Sequence, residues 1–320
     1  MNKKRIVTRI LLVVAILGLA LLPQLIKKDS TINLVILLLL YMSIASSWNI
    51  LGGYTGQTNL GHAAFFGIGS LTTRLLWIAG FPFFPSFLIG GAMAVALAFL
   101  IGIPAFKLRG VYFAIGTLAL AQILNITVGN ILPEMSYNPS ISDYQLVPRY
   151  YLFLGLTIFT ISVAYLLVNS RWGLGMMAVR EGEDAAESLG ISALKHKLLA
   201  LSVSAFLAGL VGGAFAFYHV SYYLNMPFGP EWTFDPMMMA YIGGTGTIIG
   251  PIIGSVFFVG LKQLLVWNVG EYHLIIFGTL FILIVLFLPG GLVDAWTKIR
   301  KALARRKNSK NIQQSLNTER

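Results

Sequence analysis

The chain has 320 residues, 57% of them hydrophobic and only 11% charged, with a mean hydropathy of +0.77. Ordinary soluble domains carry roughly 25% charged residues, so this composition excludes a soluble core and points to a multi-span α-helical membrane protein. Cysteine is absent, which excludes disulfides and thiolate metal sites, and the net charge of +11 is spread as membrane-orienting charge rather than as a nucleic-acid patch.

Lys3, Lys4, Arg5 and Arg9 precede an apolar run to Ile26. The run is long for a signal peptide and no small-x-small cleavage site follows, so it is predicted to stay as a first span. A second span is predicted over 32–51. The segment 52–70, GGYTGQTNLGHAAFFGIGS, opens a third that ends near Ala79. A fourth follows the FPFFPS turn and ends near Phe106, and a fifth covers 111–132. A proline-bearing polar loop, 133–149, leads to a sixth over 150–168.

The stretch 170–197, SRWGLGMMAVREGEDAAESLGISALKHK, is polar and carries helix signals. As a helix from about Ala178 to Leu189, it places Gly182, Ala185, Ala186 and Leu189 on one face and Glu183, Asp184 and Glu187 on the other. Gly190 stands where a helix stop is expected, and Ser192 can cap the next helix. Such a segment either docks a soluble partner or lies on the membrane as a solvated connector.

A seventh span covers 198–218. Residues 234–241 are apolar but short, and they end at GGTGTIIGPIIG, 243–254. A helix broken at 243–246 accounts for the shortness, because irregular backbone is tolerated at membrane depth inside protein. Apolar sequence continues to Trp267, a last span covers 273–288, and a basic tail follows. The tail could lie on an anionic leaflet or serve only as an anchor. The expected fold is therefore an all-α polytopic membrane protein of about ten transmembrane or partial spans, with a membrane region over 1–297 and a tail over 298–320. With both termini cytoplasmic, 18 of the 23 Lys and Arg residues fall on the side of the 170–197 loop.

Several polar and glycine positions are candidates for function. Gln57, Asn59 and His62 in the glycine-rich stretch, and Gln122 and Asn125 in the fifth span, either line a path or hydrogen-bond between helices. Asn49 reads the same way. The stretch is no nucleotide loop, since no Gly-Lys-Ser/Thr follows. Gly209 with Gly213, and Gly246, Gly250 and Gly254, are spaced by four and predict helix-packing stripes, with a kink at Pro251. Arg74, His219, Lys262, Glu271 and His273 are expected near the outer interface, where long side chains snorkel. No catalytic constellation or metal motif appears. The scarcity of acidic residues within spans weighs against a proton-coupled pump.

These blocks, in this order, resemble the LivM-type permease subunits of bacterial branched-chain amino acid ABC importers. The resemblance rests on GGYTGQTNLGHAAFFGIGS, on LRGVYFAIGTLALAQI over 108–123, on the segment 170–197 with its continuation, on IGGTGTIIGPIIGS over 242–255, and on LFLPGGL over 286–292. Gly290 departs from the family, which often has a polar residue after that proline. The resemblance implies a non-enzymatic subunit in a bacterial inner membrane. It implies cytoplasmic ATPase partners that bind ATP, a second related permease and an extracytoplasmic binding protein, with no cofactor in this chain. The loop 170–197 would be the ATPase-coupling segment, its core at Glu183, Ala185, Ala186 and Gly190, with Arg180 and Glu187 beside them. Leucine, isoleucine and valine are the expected cargo; urea, short amides or other amino acids are alternatives. A stand-alone secondary transporter or channel, or a purely structural subunit, would leave that loop without a partner.

Overall fold

The computed structural model describes residues 14, 17–26, 28–269, 273–287, 290–298 and 300. The expectations that concern Lys3, Lys4, Arg5, Arg9, Glu271 and residues 301–320 lie outside them. After a helical run over 17–25 come α1 (Asp29–Gly52), α2 (His62–Ile78), α3 (Phe83–Ala105) and α4 (Val111–Ile131). A short strand, β1 (Met135–Tyr137), leads to α5 (Leu146–Val168). The polar stretch forms α6 (Arg171–Glu181) and α7 (Glu183–Ser188). Then follow α8 (Ala193–Tyr218), β2 (Ser221–Tyr223), α9 (Glu231–Gly243), α10 (Ile249–Val269) and α11 (His273–Phe287). Helices α1, α3, α4, α5 and α8 are long and apolar enough to cross a membrane. The chain is an all-α polytopic membrane protein, with β1 and β2 paired antiparallel as a small ribbon at one end.

Helices α1 and α8 are the central pair, each largely buried. They run antiparallel. Tyr218 Oη at the end of α8 donates to Asn33 Oδ1 near the start of α1 at 3.0 Å, while Ser204 Oγ reaches the Ser47 carbonyl at 2.7 Å. Helix α2 packs along α8, and α9 packs along α1. Helix α3 returns against α2 and α8, and α10 returns against α9 and α1. The two four-helix units, α1–α4 and α8–α11, thus have the same internal order and opposite directions, as in inverted-topology repeats. Each unit has an interrupted second helix. Residues 53–61 are non-helical before α2, as are most of 219–230 before α9. The 13-residue α9 is about 20 Å long, too short for a hydrocarbon core of about 30 Å. The first turns of α2 and α9 meet: Ala63 N donates to Thr233 Oγ1 at 2.8 Å, and the Phe66 and Trp232 rings stack at 4.2 Å.

Glycine governs the close crossings. A Cβ on Gly69 would strike Gly209 backbone, one on Gly212 would strike the Phe66 carbonyl, and one on Gly254 would strike the Met239 carbonyl. The stripe expected through Gly246, Gly250 and Gly254 is therefore only partly present. Gly250 and Gly254 lie in α10, but Gly246 stands before it, in a turn with φ +75°. Pro251 sits in the first turn of α10, where its missing N–H is harmless, rather than at a mid-helix kink.

The ribbon end corrects a second expectation. Arg74 does not snorkel; its side chain is fully buried. Its Nε donates to Ser136 Oγ at 2.6 Å, and its two terminal nitrogens donate to the carbonyls of Ser136, Ala216, His219 and Val220. Arg149 donates to the Phe217 carbonyl at 2.9 Å and the Gln145 carbonyl at 2.6 Å, and its guanidinium lies 3.8 Å and 4.3 Å from the Tyr144 and Phe217 ring centroids. Two arginines so satisfy the carbonyls that the end of α8 leaves open.

Candidate functional site

The segment 170–197 folds by local rules. Ser170 Oγ accepts from Gly173 N at 3.3 Å and opens α6. The single helix expected over 178–189 is divided. Gly182, in extended conformation at φ 177° and ψ 113°, separates α6 from α7. Glu183 and Asp184 then occupy the first turn of α7, where the helix dipole favours negative charge. Gly190 ends the helix as expected, at φ +81°. Gly190 N donates to the Glu187 carbonyl at 2.9 Å and Ile191 N to the Ala186 carbonyl at 3.0 Å, the paired bonds of a Schellman stop. Ser192 precedes α8, but its hydroxyl caps nothing.

The division of faces also differs from the expected one. Ala186 is buried with Val179 and Ala193, whereas Ala185 and Glu187 are exposed and Leu189 is 81% exposed. Glu183 turns inward, where its Oε2 accepts from the buried Lys197 Nζ at 2.5 Å. Asp184 stays outside, 3.5 Å from Arg109. The outward surface of α7 is thus an alanine and a leucine flanked by Asp184 and Glu187.

The path candidates are not gathered at one place. Asn59 is buried and lines a small cavity with Gly61, Phe65, Phe113, Thr117 and Leu201. Its Oδ1 accepts from Gly61 N at 2.8 Å, while its Nδ2 has no hydrogen-bond partner among the described residues. His62 is buried at the start of α2, with its Nε2 3.0 Å from Ser47 Oγ. Gln57 is half-buried, Asn125 is half-buried, and Gln122 lies on the uncovered face of α4. Two arrangements escaped the sequence reading. Asp235, inside the stretch read as apolar, accepts from Tyr41 Oη at 3.3 Å and lies 3.5 Å from Lys262 Nζ. Asn49, expected either to line a path or to hydrogen-bond between helices, bonds to the backbone of the turn before α10. Its Nδ2 donates to the Thr247 carbonyl at 2.9 Å, and its Oδ1 accepts from Gly246 N at 2.9 Å. The chain break between α9 and α10 is thereby held on the end of α1. Arg180 reaches the same place from α6, its Nη1 donating to the Gly53 carbonyl at 2.6 Å. No group of three metal-binding side chains exists among the described residues.

The family model described as "Branched-chain amino acid transport system / permease component" matches residues 30–285. The chain is 28% identical to the high-affinity branched-chain amino acid transport system permease protein LivM of Escherichia coli (strain K12), over 88% of this chain and 74% of that one. It is 23% identical to the probable LivM of Methanocaldococcus jannaschii, over 79% of this chain and 90% of that one. The autoinducer 2 import system permease protein LsrC of Yersinia pseudotuberculosis is 26% identical, over 67% of this chain and 66% of that one. No solved structure matches.

Proposed function

The chain belongs to the family of branched-chain amino acid transport system permease components, and from that premise we propose that it is the membrane subunit of an ATP-driven importer for leucine, isoleucine and valine. A permease component works with the other components of its system. Here these are cytoplasmic ATPases, a second related permease and an extracytoplasmic binding protein that delivers the cargo. On this reading the end that carries α6 and α7 faces the bacterial cytoplasm, and the β1–β2 ribbon faces outward.

The observation that carries the reading is α7. It is a short helix ended by the stop at Gly190, in a polar segment between long apolar helices, and with the Leu189 that follows it presents Ala185 and Leu189 beside Asp184 and Glu187. An exposed apolar spot with an acidic rim fits a groove on a soluble partner, and a solvated connector has no need of it. ATP is bound by the partner. Closure of the ATPase pair moves α7, and the membrane helices exchange access from one side to the other. Asn59, beside its cavity, is the best-placed of the path candidates; His62 and Gln57 follow on the same segment, and Gln122 and Asn125 serve on α4.

The test is uptake of labelled leucine by the reconstituted complex with its binding protein, with and without ATP, and with urea as competitor. ATP-dependent uptake that urea leaves unchanged is expected. ATP-dependent uptake of urea alone keeps the architecture and changes the cargo; uptake that ignores ATP overturns the reading.

A further inference from the structure

Arg180 is where the polar segment touches the chain breaks inside the bundle. It donates to the Gly53 carbonyl. A Cβ at Gly56 would lie 3.1 Å from Arg180 Cγ, and a Cβ at Gly246 would run into Arg180 Nη1. Gly56 and Gly246 have φ of +70° and +75°, a conformation that costs glycine little and other residues more. The arginine therefore lies in a slot between two turns built for it. Asn49 closes the slot from within by holding Gly246 and Thr247. The first turn leads through residues 57–61 to Asn59 and its cavity; the second joins α9 to α10. One side chain contacts both the interrupted stretch of the first unit and the turn between α9 and α10 in the second. It is exposed overall and makes no ion pair among the described residues, so it is held by the slot and one hydrogen bond.

Resting on the importer reading, we propose that Arg180 is a positioning residue: it carries displacement of the segment 170–197 to both chain breaks, through Gly53 and Gly246, and makes its essential contact within this chain rather than with the ATPase. The turn at Gly53–Gly56 then moves with α6. Removal of the guanidinium leaves ATP hydrolysis running while the breaks no longer follow it.

The cysteine-free chain permits a direct test. A Cβ at Gly56 lies 3.6 Å from Arg180 Cβ, within the disulfide range of about 3.5–4.5 Å. In the reconstituted complex with ATPases, second permease and binding protein, Arg180→Ala is expected to lower leucine carried per ATP hydrolysed about tenfold, within the usual range of coupling between sites. Its ATP hydrolysis stays near the wild-type rate. Arg180→Lys, which keeps a donor and the charge, recovers most of the loss. Arg180→Cys combined with Gly56→Cys couples when oxidised and uncouples when reduced, because the covalent link replaces the lost contact. An Arg180→Ala complex with wild-type leucine per ATP overturns the proposal. So does an oxidised cysteine pair that stays uncoupled or blocks transport, and this pair decides the matter if Arg180→Ala fails to assemble. A wild-type complex whose uptake ignores ATP overturns the importer reading instead.

Discussion

Arg74 and Arg180 sit at opposite ends of the bundle and are held in opposite ways. Arg74 is fully buried and has an acceptor for each of its N–H groups. Arg180 is exposed and makes a single hydrogen bond among the described residues, between glycine turns that leave it room. A saturated, buried cation fixes geometry, because any shift strands both the charge and the carbonyls. A singly bonded, exposed cation can follow a moving neighbour at little cost. The ribbon end is built to stay and the loop end, on the proposal above, to move, although both use the same side chain and the same kind of acceptor.

The sharpest way to break this contrast is Arg74→Met. It leaves four carbonyls and a serine without their donor, at a cost of about 3 kcal/mol or more. A large drop in the melting temperature of the purified protein is expected, with leucine per ATP unchanged in whatever complex survives. Glu183→Lys acts at the loop end by facing Lys197 with a second cation. The carboxylate is partly exposed, so about 2 kcal/mol is expected, together with a fall in ATP-driven uptake at normal membrane insertion; Glu183→Gln should cost less. Gly190→Ala tests the Schellman stop. A left-handed alanine costs about 1 kcal/mol, to be read as faster proteolysis of the loop while the remaining helices stay protected.

A further prediction concerns pH. Burial, with help from Arg74, holds the His219 imidazole down from 6.5 to about 4. Between those values the unfolded chain binds the proton and the folded one does not, so stability is complete above about 6.5 and falls as the pH drops toward 4. His219→Gln should flatten that part of the melting-temperature profile. An unchanged profile would mean that the ribbon end tolerates charge and is less rigid than its hydrogen bonds imply.

Span positions were legible because apolar runs are local and long. The stop at Gly190 was legible for the same reason, since a glycine after a helical period needs nothing distant. What escaped the sequence depends on backbone acceptors far along the chain. The partners of Arg74 lie 62 to 146 residues away, and carbonyls leave no trace in residue identity. Gly246 matched a four-residue spacing, but periodicity does not report φ. The split at Gly182 involves no left-handed backbone that would demand glycine. It accompanies tertiary contacts, the burial of Ala186 and the reach of Glu183 to Lys197, that no helical wheel contains. The path candidates were chosen by residue type, and type alone could not separate Asn59 at its cavity from Gln122 on an uncovered face.

The clasp between Asn49 and the Gly246–Thr247 backbone has a consequence for how the protein is made. Its two sides are separated by 197 and 198 residues. At a synthesis rate of about 5–20 residues per second, the first side waits roughly 10 to 40 s for the second. During that interval Asn49 is already made and its lasting partners are not yet synthesised. The first unit therefore cannot be finished on its own. The central seam closes late, after the second unit has entered in the opposite sense, and a chain that stops short of α10 leaves a polar wound at the end of α1 that a quality-control protease can find.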